Sequence, residues 1–378
     1  MSQATRIKQP LLVAETVRKD FTANDVDAFM QYVERLDDAT INATLNSPED
    51  VYLRDDDGTR KSDGYRMTYL AFQQMCSHTA AGLLSLAADL SGLSRRGSSY
   101  DSVVSMNTAV RIVNACIKLR FRAEGGLYGR QLISNTADNT VDGIVGPAYR
   151  YLAHRYLFEA ARDMLEGVDT PAYFYDARIT GRRVALSFQT AKAVCSTGQH
   201  EFYLGFYFSN SEAGECGVHS AITLHRHGTA QRCVGKLYSV AHSGRNFTKK
   251  LGHLLNKSVV RLPAADVLQR RLDRLQSTVL DLTTLSQRAA VAKQLSQHAV
   301  NLQLAQAIVD WTANTGGEGE AKVVRLREAR TVERTLFDLF MRIIAEAEEC
   351  PPKPREELER LAFQLFMGSF VIRSNADD

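Results

Sequence analysis

No stretch of the sequence approaches eighteen consecutive apolar residues, so no membrane-crossing helix is expected. No C-x-x-C pair occurs among the six cysteines, Cys76, Cys116, Cys195, Cys216, Cys233 and Cys350, which removes the usual redox and zinc-ribbon motifs. Glycine and proline are ordinary at 24 and 8 in 378 residues, excluding collagen-like repeats and wholesale disorder. There is no G-x-x-x-x-G-K-[ST], no G-x-G-x-x-G after a strand, no H-E-x-x-H and no G-x-S-x-G. No catalytic activity, cofactor or metal is therefore expected. The start of the chain carries Arg6 and Lys8 without an apolar run and small-residue cleavage site, so no secretory signal is read. With scattered cysteines, that points to reduced thiols and a cytoplasmic protein.

The most informative absence is of one sign of charge. The net charge is only +3, from 46 Lys/Arg against 43 Asp/Glu. Yet the fifty residues between Glu215 and Asp266 contain no acid, where about six would be expected from the average. The same stretch holds Arg226, Arg232, Lys236, Arg245, Lys249, Lys250, Lys257 and Arg261, with His219, His225, His227, His242 and His253. Cations without interspersed anions create a local positive potential that attracts phosphates. The alternatives are a plain solvated basic face, or one neutralised by the acidic residues 1–60.

Hydrophobic periodicity divides the chain into a helical N-terminal region, 1–124, a β-rich basic core, 125–262, and a helical C-terminal region, 263–378, with a linker near 315–322. Val26, Phe29, Met30 and Val33 share one face of a helix over Asp25–Leu36. Helices are also expected at Met67–Leu90 and Asp101–Leu119, with a loop at Ser94–Ser99 and a turn at Asp55-Asp56-Asp57. From Leu127 the runs shorten and turn rich in Val, Ile, Tyr and Phe. Strands are expected at 128–134, 143–149, 172–179, 182–189, 202–209, 217–227 and 231–239, interrupted by a helix at Leu152–Leu165. Thr180-Gly181 between alternating runs is a hairpin signal. Consecutive strands with short turns imply an α+β protein with a mainly antiparallel sheet in the middle. Leu268, Leu272, Leu275, Val279 and Leu282 keep a four-three spacing that suits one amphipathic helix or a self-association seam. Further helices are expected at 323–347 and 355–371, separated by Pro351-Pro352.

Alternation also assigns faces. In strand 217–227, Val218, Ile222 and Leu224 point one way and His219, Thr223, His225 and His227 the other. In strand 202–208, Tyr203 and Tyr207 lie opposite Phe202, Leu204, Phe206 and Phe208. A second face of Tyr, His and Arg would let bases stack and phosphates be neutralised, unless a helix covers it. His225-x-His227 has a metal-sharing spacing, needing a third ligand from Cys233, His219 or His242, but reads as surface histidine. Ser243 or Asn246 can cap a helix running to about Lys257, with Arg245, Lys249 and Lys250 at its start. The candidate contact set is Arg183, Tyr203, Tyr207, His225, Arg226, His227, Arg232, Lys236, Arg245, Lys249, Lys250 and Lys257.

The middle of the chain resembles a large family of phage- and plasmid-borne proteins known only as a domain of unknown function. The likeness is carried by Arg130-Gln131-Leu132-Ile133-Ser134-Asn135-Thr136, then Gly143-Ile144-Val145-Gly146-Pro147-Ala148-Tyr149-Arg150. It continues through Tyr173–Phe188, Arg232-Cys233 and His242-Ser243-Gly244-Arg245-Asn246, covering roughly residues 125–260. That family brings no activity or catalytic residues with it. The β-β-α-β-β-β order is also similar to phage-type single-strand annealing proteins, which bind DNA along the basic groove of an oligomeric ring. The expectation is a mobile-element protein that binds single-stranded DNA or RNA, assists annealing, recombination or replication, and self-associates. The competing expectations are an interaction protein whose basic face meets an acidic protein partner, and an unrecognised hydrolase or nuclease.

Overall fold

The computed structural model describes residues 12–13, 18–52, 66–78, nearly all of 126–260, 263–297, 301–314, 334–350 and 352–370, with scattered positions at 111–122 and 372. The chain opens with β1 (Leu12–Val13), β2 (Arg18–Thr22), α1 (Val26–Asp38), β3 (Thr40–Thr44), β4 (Arg66–Thr68) and α2 (Tyr69–His78). Next come β5 (Gln131–Asn135), β6 (Thr140–Val145), α3 (His154–Glu166), β7 (Ala172–Thr180), β8 (Arg183–Thr190) and β9 (Cys195–Ser196). They are followed by β10 (Glu201–Ser211), β11 (Val218–Arg226), β12 (Arg232–Val234), β13 (Tyr238–Val240), α4 (Phe247–Val260) and α5 (Ala265–Ser277). The last elements are β14 (Val279–Leu280), α6 (Leu285–Ser296), α7 (Leu302–Asn314), β15 (Arg334–Thr335), α8 (Leu336–Glu349) and α9 (Pro352–Met367). The Asp55–Asp57 turn, the Ser94–Ser99 loop and the 315–322 linker lie outside the described residues, as does most of the expected Asp101–Leu119 helix.

The class is α+β, but the strands form two main sheets rather than one. The first runs β1-β4-β6-β5-β3 and the second, antiparallel throughout, β12-β11-β10-β8-β7-β2. The β7–β8 hairpin forms where the glycine signal predicts, one residue later than read. Its two-residue turn is Gly181-Arg182, with Gly181 at φ 57°, a conformation that costs glycine least. Because Arg182 is at the tip and not in the strand, its side chain is free to leave the sheet.

Phe202, Leu204, Phe206 and Phe208 share one face of β10, as alternation requires, and all are buried. The strand is long enough to serve two cores. Phe206 and Phe208 pack with Phe29, Phe158, Phe188 and the α4 leucines, while Phe202 and Leu204 pack with Leu272, Phe340 and Leu361. Each such aromatic ring removed from water contributes roughly 1.5–3 kcal/mol. The three regions read from periodicity are thus interleaved: β2 pairs with β7, and the C-terminal helices complete the core beneath β10 and β11. The N-terminal strands β2 and β3 had no alternating apolar signal, because their residues are mostly exposed. The leucine seam is interrupted as well. Leu268, Leu272 and Leu275 are buried in the chain's own core, α5 ends at Ser277, and Val279 is half-exposed in β14.

Candidate nucleic-acid interface

The polar face of the second sheet is not a flat platform. Arg232 on edge strand β12 donates from Nη1 to Ser187 Oγ on β8 at 3.0 Å. Three strand spacings separate them, about 14 Å in a flat sheet, farther than a guanidinium reaches. Tyr175 Oη on β7 likewise donates to the Thr229 carbonyl beyond β11 at 3.2 Å. The sheet therefore curls, and these side chains fill its concave side.

His225 belongs to that filling. It is buried, its Nε2 lies 2.8 Å from Thr223 Oγ1, and Tyr175 meets its ring edge-on at 5.1 Å. Burial, with Arg232 nearby, lowers its pKa to about 3, so it is a neutral interior group and not a phosphate contact. A Cβ on Gly205 would stand 2.5 Å from Thr223 Oγ1 and 2.6 Å from the His225 ring, so only glycine admits this packing. Arg232 pairs with Glu359 of α9 at 3.1 Å and lies over the half-buried Tyr207 ring at 5.4 Å. Arg183 sits between Glu356, at 3.4 Å, and Glu215, at 4.0 Å. A helix and its carboxylates thus cover this end of the polar face. At the other end Tyr203 stacks on His227 at 5.2 Å and donates to Glu201 at 3.2 Å. Arg226 donates to Gln231 at 2.8 Å, bracing the turn into β12.

The remaining candidates stand elsewhere. α4 lies on the opposite, apolar face of the sheet, through Phe247, Leu251, Leu254 and Leu255 beside Val218. Its outward side carries Lys249 and Lys250, preceded by Arg245, all exposed. Lys257 is in the same helix, with its side chain outside the described residues. Exposed Lys236 precedes β13, which packs on α4, and its ammonium is 6.0 Å over Tyr238. The turn before α4 is held firmly: the Arg150 N–H donates to the His242 carbonyl at 2.7 Å, and His242 Nδ1 to the Arg150 carbonyl at 2.8 Å. His242 is sandwiched between Tyr149, 4.8 Å away, and Phe247, 5.4 Å away. This places exposed Arg150 beside the turn, a contribution that no local pattern in the sequence signals. Among the described residues, no carboxylate pairs with Arg150, Lys236, Arg245, Lys249 or Lys250.

Sequence reading also missed a buried charged network between the two sheets. Arg182, at the hairpin tip, reaches Asp142 of β6 at 2.6 Å, Thr40 Oγ1 at 2.7 Å and Glu212 at 3.3 Å. Glu212 accepts the His154 N–H at 3.1 Å and lies 3.7 Å from His154 Nε2, both side chains wholly buried. Burial and the neighbouring Glu212 raise the Asp37 pKa to about 7, and burial lowers that of His154 to about 3. Glu212 is pushed up by burial and pulled back by Arg182. Asp37 therefore holds its proton to much higher pH than a free carboxyl does, and His154 stays neutral. With Glu212 and His154 wholly buried and Arg182 and Asp142 nearly so, the network acts as a structural clamp, and only Asp37 and Thr40 at its edge are half-buried. The one signal available was Glu212 just beyond an apolar strand.

Cys195 and Cys233 are buried and free, Cys216 and Cys350 half-buried and free. Among the described residues no three His, Cys, Asp or Glu side chains gather to hold a metal ion, and no helix is long and apolar enough to cross a membrane. No protein-family model, curated protein or solved structure matches the chain.

Proposed function

We propose that the chain is a nucleic-acid-binding protein of a mobile element, single strands favoured, acting in annealing, recombination or replication. The observation that carries this reading is the division of the basic residues. Arg232 on the sheet's concave face is neutralised by Glu359 at 3.1 Å, and Arg183 stands more loosely between Glu356 and Glu215. By contrast, among the described residues, Arg150, Lys236, Arg245, Lys249 and Lys250 on the α4 side are exposed with no carboxylate partner. A patch of unneutralised cations around a braced turn suits a phosphate backbone. The stack of half-buried Tyr203 on exposed His227 supports a base contact, at the far end of β11 from α4, a span of about 30 Å. The resemblance of residues 125–260 to phage- and plasmid-borne proteins, read from the sequence, is what suggests the mobile-element setting.

The test is fluorescence anisotropy with single- and double-stranded oligonucleotides of one sequence, titrated with salt. Four phosphate contacts predict a log–log slope near −3 for single strands, at about −0.7 each. Protein that ignores both oligonucleotides at low salt would end this reading and favour an acidic protein partner for the same patch.

A further inference from the structure

Between the concave sheet face and α9 lies a cavity of about 330 Å³. It is within the range of small-molecule sites. Its floor is Ala185, Tyr207 and His219, with Val234 and Leu237 making an apolar wall. Around this apolar body stand five guanidinium groups, Arg178, Arg183 and Arg232 from the sheet and Arg355 and Arg360 from α9, against three carboxylates, Glu215, Glu356 and Glu359, so the lining keeps an excess of cations.

Arg178 is held by Asp20 at 3.1 Å and Arg232 by Glu359 at 3.1 Å, but the donors of Arg183 and Arg360 are incompletely used among the described residues. Arg183 meets its two carboxylates at 3.4 and 4.0 Å, beyond the 2.7–2.9 Å or so of a charge-assisted hydrogen bond. Arg182, one residue away, contrasts with it at 2.6 Å from Asp142. Arg360 is exposed and its Nε donates to the Glu356 carbonyl, a backbone bond that, among the described residues, leaves its terminal amino groups for a ligand. His219 is kept neutral by burial and by Arg183, with Nδ1 3.3 Å from Ser209 Oγ. Where Nδ1 accepts from that hydroxyl, Nε2–H is left to donate.

We propose that this cavity binds a small phosphate monoester, its phosphate held by Arg183 and Arg360 and its apolar or aromatic body against Tyr207, Val234 and Leu237. Planar forked donors favour phosphate geometry, and the apolar wall favours an ester over the bare ion. The site lies across the sheet from the α4 patch and does not depend on nucleic-acid binding there. Calorimetry on the full chain tests it with phenyl phosphate, inorganic phosphate and benzoate. Phenyl phosphate should bind at least about tenfold more tightly than either of the others. Arg183→Gln and Arg360→Ala should each weaken it by about tenfold, the loss of one charged hydrogen bond. The Arg245→Ala/Lys249→Ala/Lys250→Ala protein should bind it unchanged. Arg360 is exposed, so its variant decides the matter if Arg183→Gln melts early. No binding of phenyl phosphate at millimolar concentration, equal binding of benzoate, or undiminished binding by Arg360→Ala would each overturn the proposal.

Discussion

Nη2 of Arg182 stands 2.6 Å from Oδ2 of Asp142, joining the tip of the β7–β8 hairpin in the second sheet to β6 of the first. The same guanidinium reaches Glu212 and Thr40, so one side chain holds together groups that arrive from four parts of the chain. Replacing it leaves two carboxylates buried without their cation. Arg182→Met should destabilise the protein by roughly 3–5 kcal/mol, the cost of breaking a buried pair from one side. Urea unfolding measures this, and a loss below 1 kcal/mol would show that water or rearrangement replaces the cation.

Asp37 and His154 of that network, with His225 buried in the concave face of the second sheet, pull stability in opposite directions. Asp37 titrates near 7 in the folded protein against 3.8 as a free side chain, so its contribution is full at low pH and is lost as pH rises through about 7. His154 and His225 titrate near 3 against 6.5, so theirs is full above pH 6.5 and is lost as pH falls toward 3. Two imidazoles outweigh one carboxyl, and the urea midpoint should fall as pH drops below about 6.5. Asp37→Asn removes the offsetting group, so its midpoint should fall more steeply over the same interval. Parallel curves for the two proteins would refute the assignment.

On the basic side, Arg245→Ala/Lys249→Ala/Lys250→Ala should weaken oligonucleotides of every sequence alike. The salt slope should shrink by about two units, at roughly −0.7 per phosphate contact. Exposed positions at and just before the start of α4 should leave the melting temperature within a few degrees. An unchanged slope would move the contact elsewhere.

Tyr203→Ala and Tyr207→Ala separate stacking from packing. Tyr203 rests on His227 at the open end of the sheet, and its loss should cost about 1–3 kcal/mol in binding single strands with little change in slope or melting. Tyr207 lies under Arg232 beside α9, and its loss should lower the melting temperature with no specific effect on the slope. Comparing melting and affinity on both proteins checks the distinction. Matching behaviour of the two variants would contradict it.

Local rules in the sequence determined much of this protein. Alternation placed Phe202, Leu204, Phe206 and Phe208 on one buried face, glycine at 181 marked the hairpin, and Pro351-Pro352 separated α8 from α9. Each depends on neighbours a few residues apart. The acid-free stretch between Glu215 and Asp266 was equally legible, because composition survives folding. What it meant was decided by tertiary structure alone. Glu359 arrives from 127 residues away to neutralise Arg232, while among the described residues no carboxylate comes to Lys249 or Lys250. The curl of the sheet carried His225 inside, although alternation put it correctly on the polar face. Alternation states which side of a strand a residue takes, but not the curvature that makes that side an interior. The partners of a buried charge are likewise chosen by which distant segments fold against it.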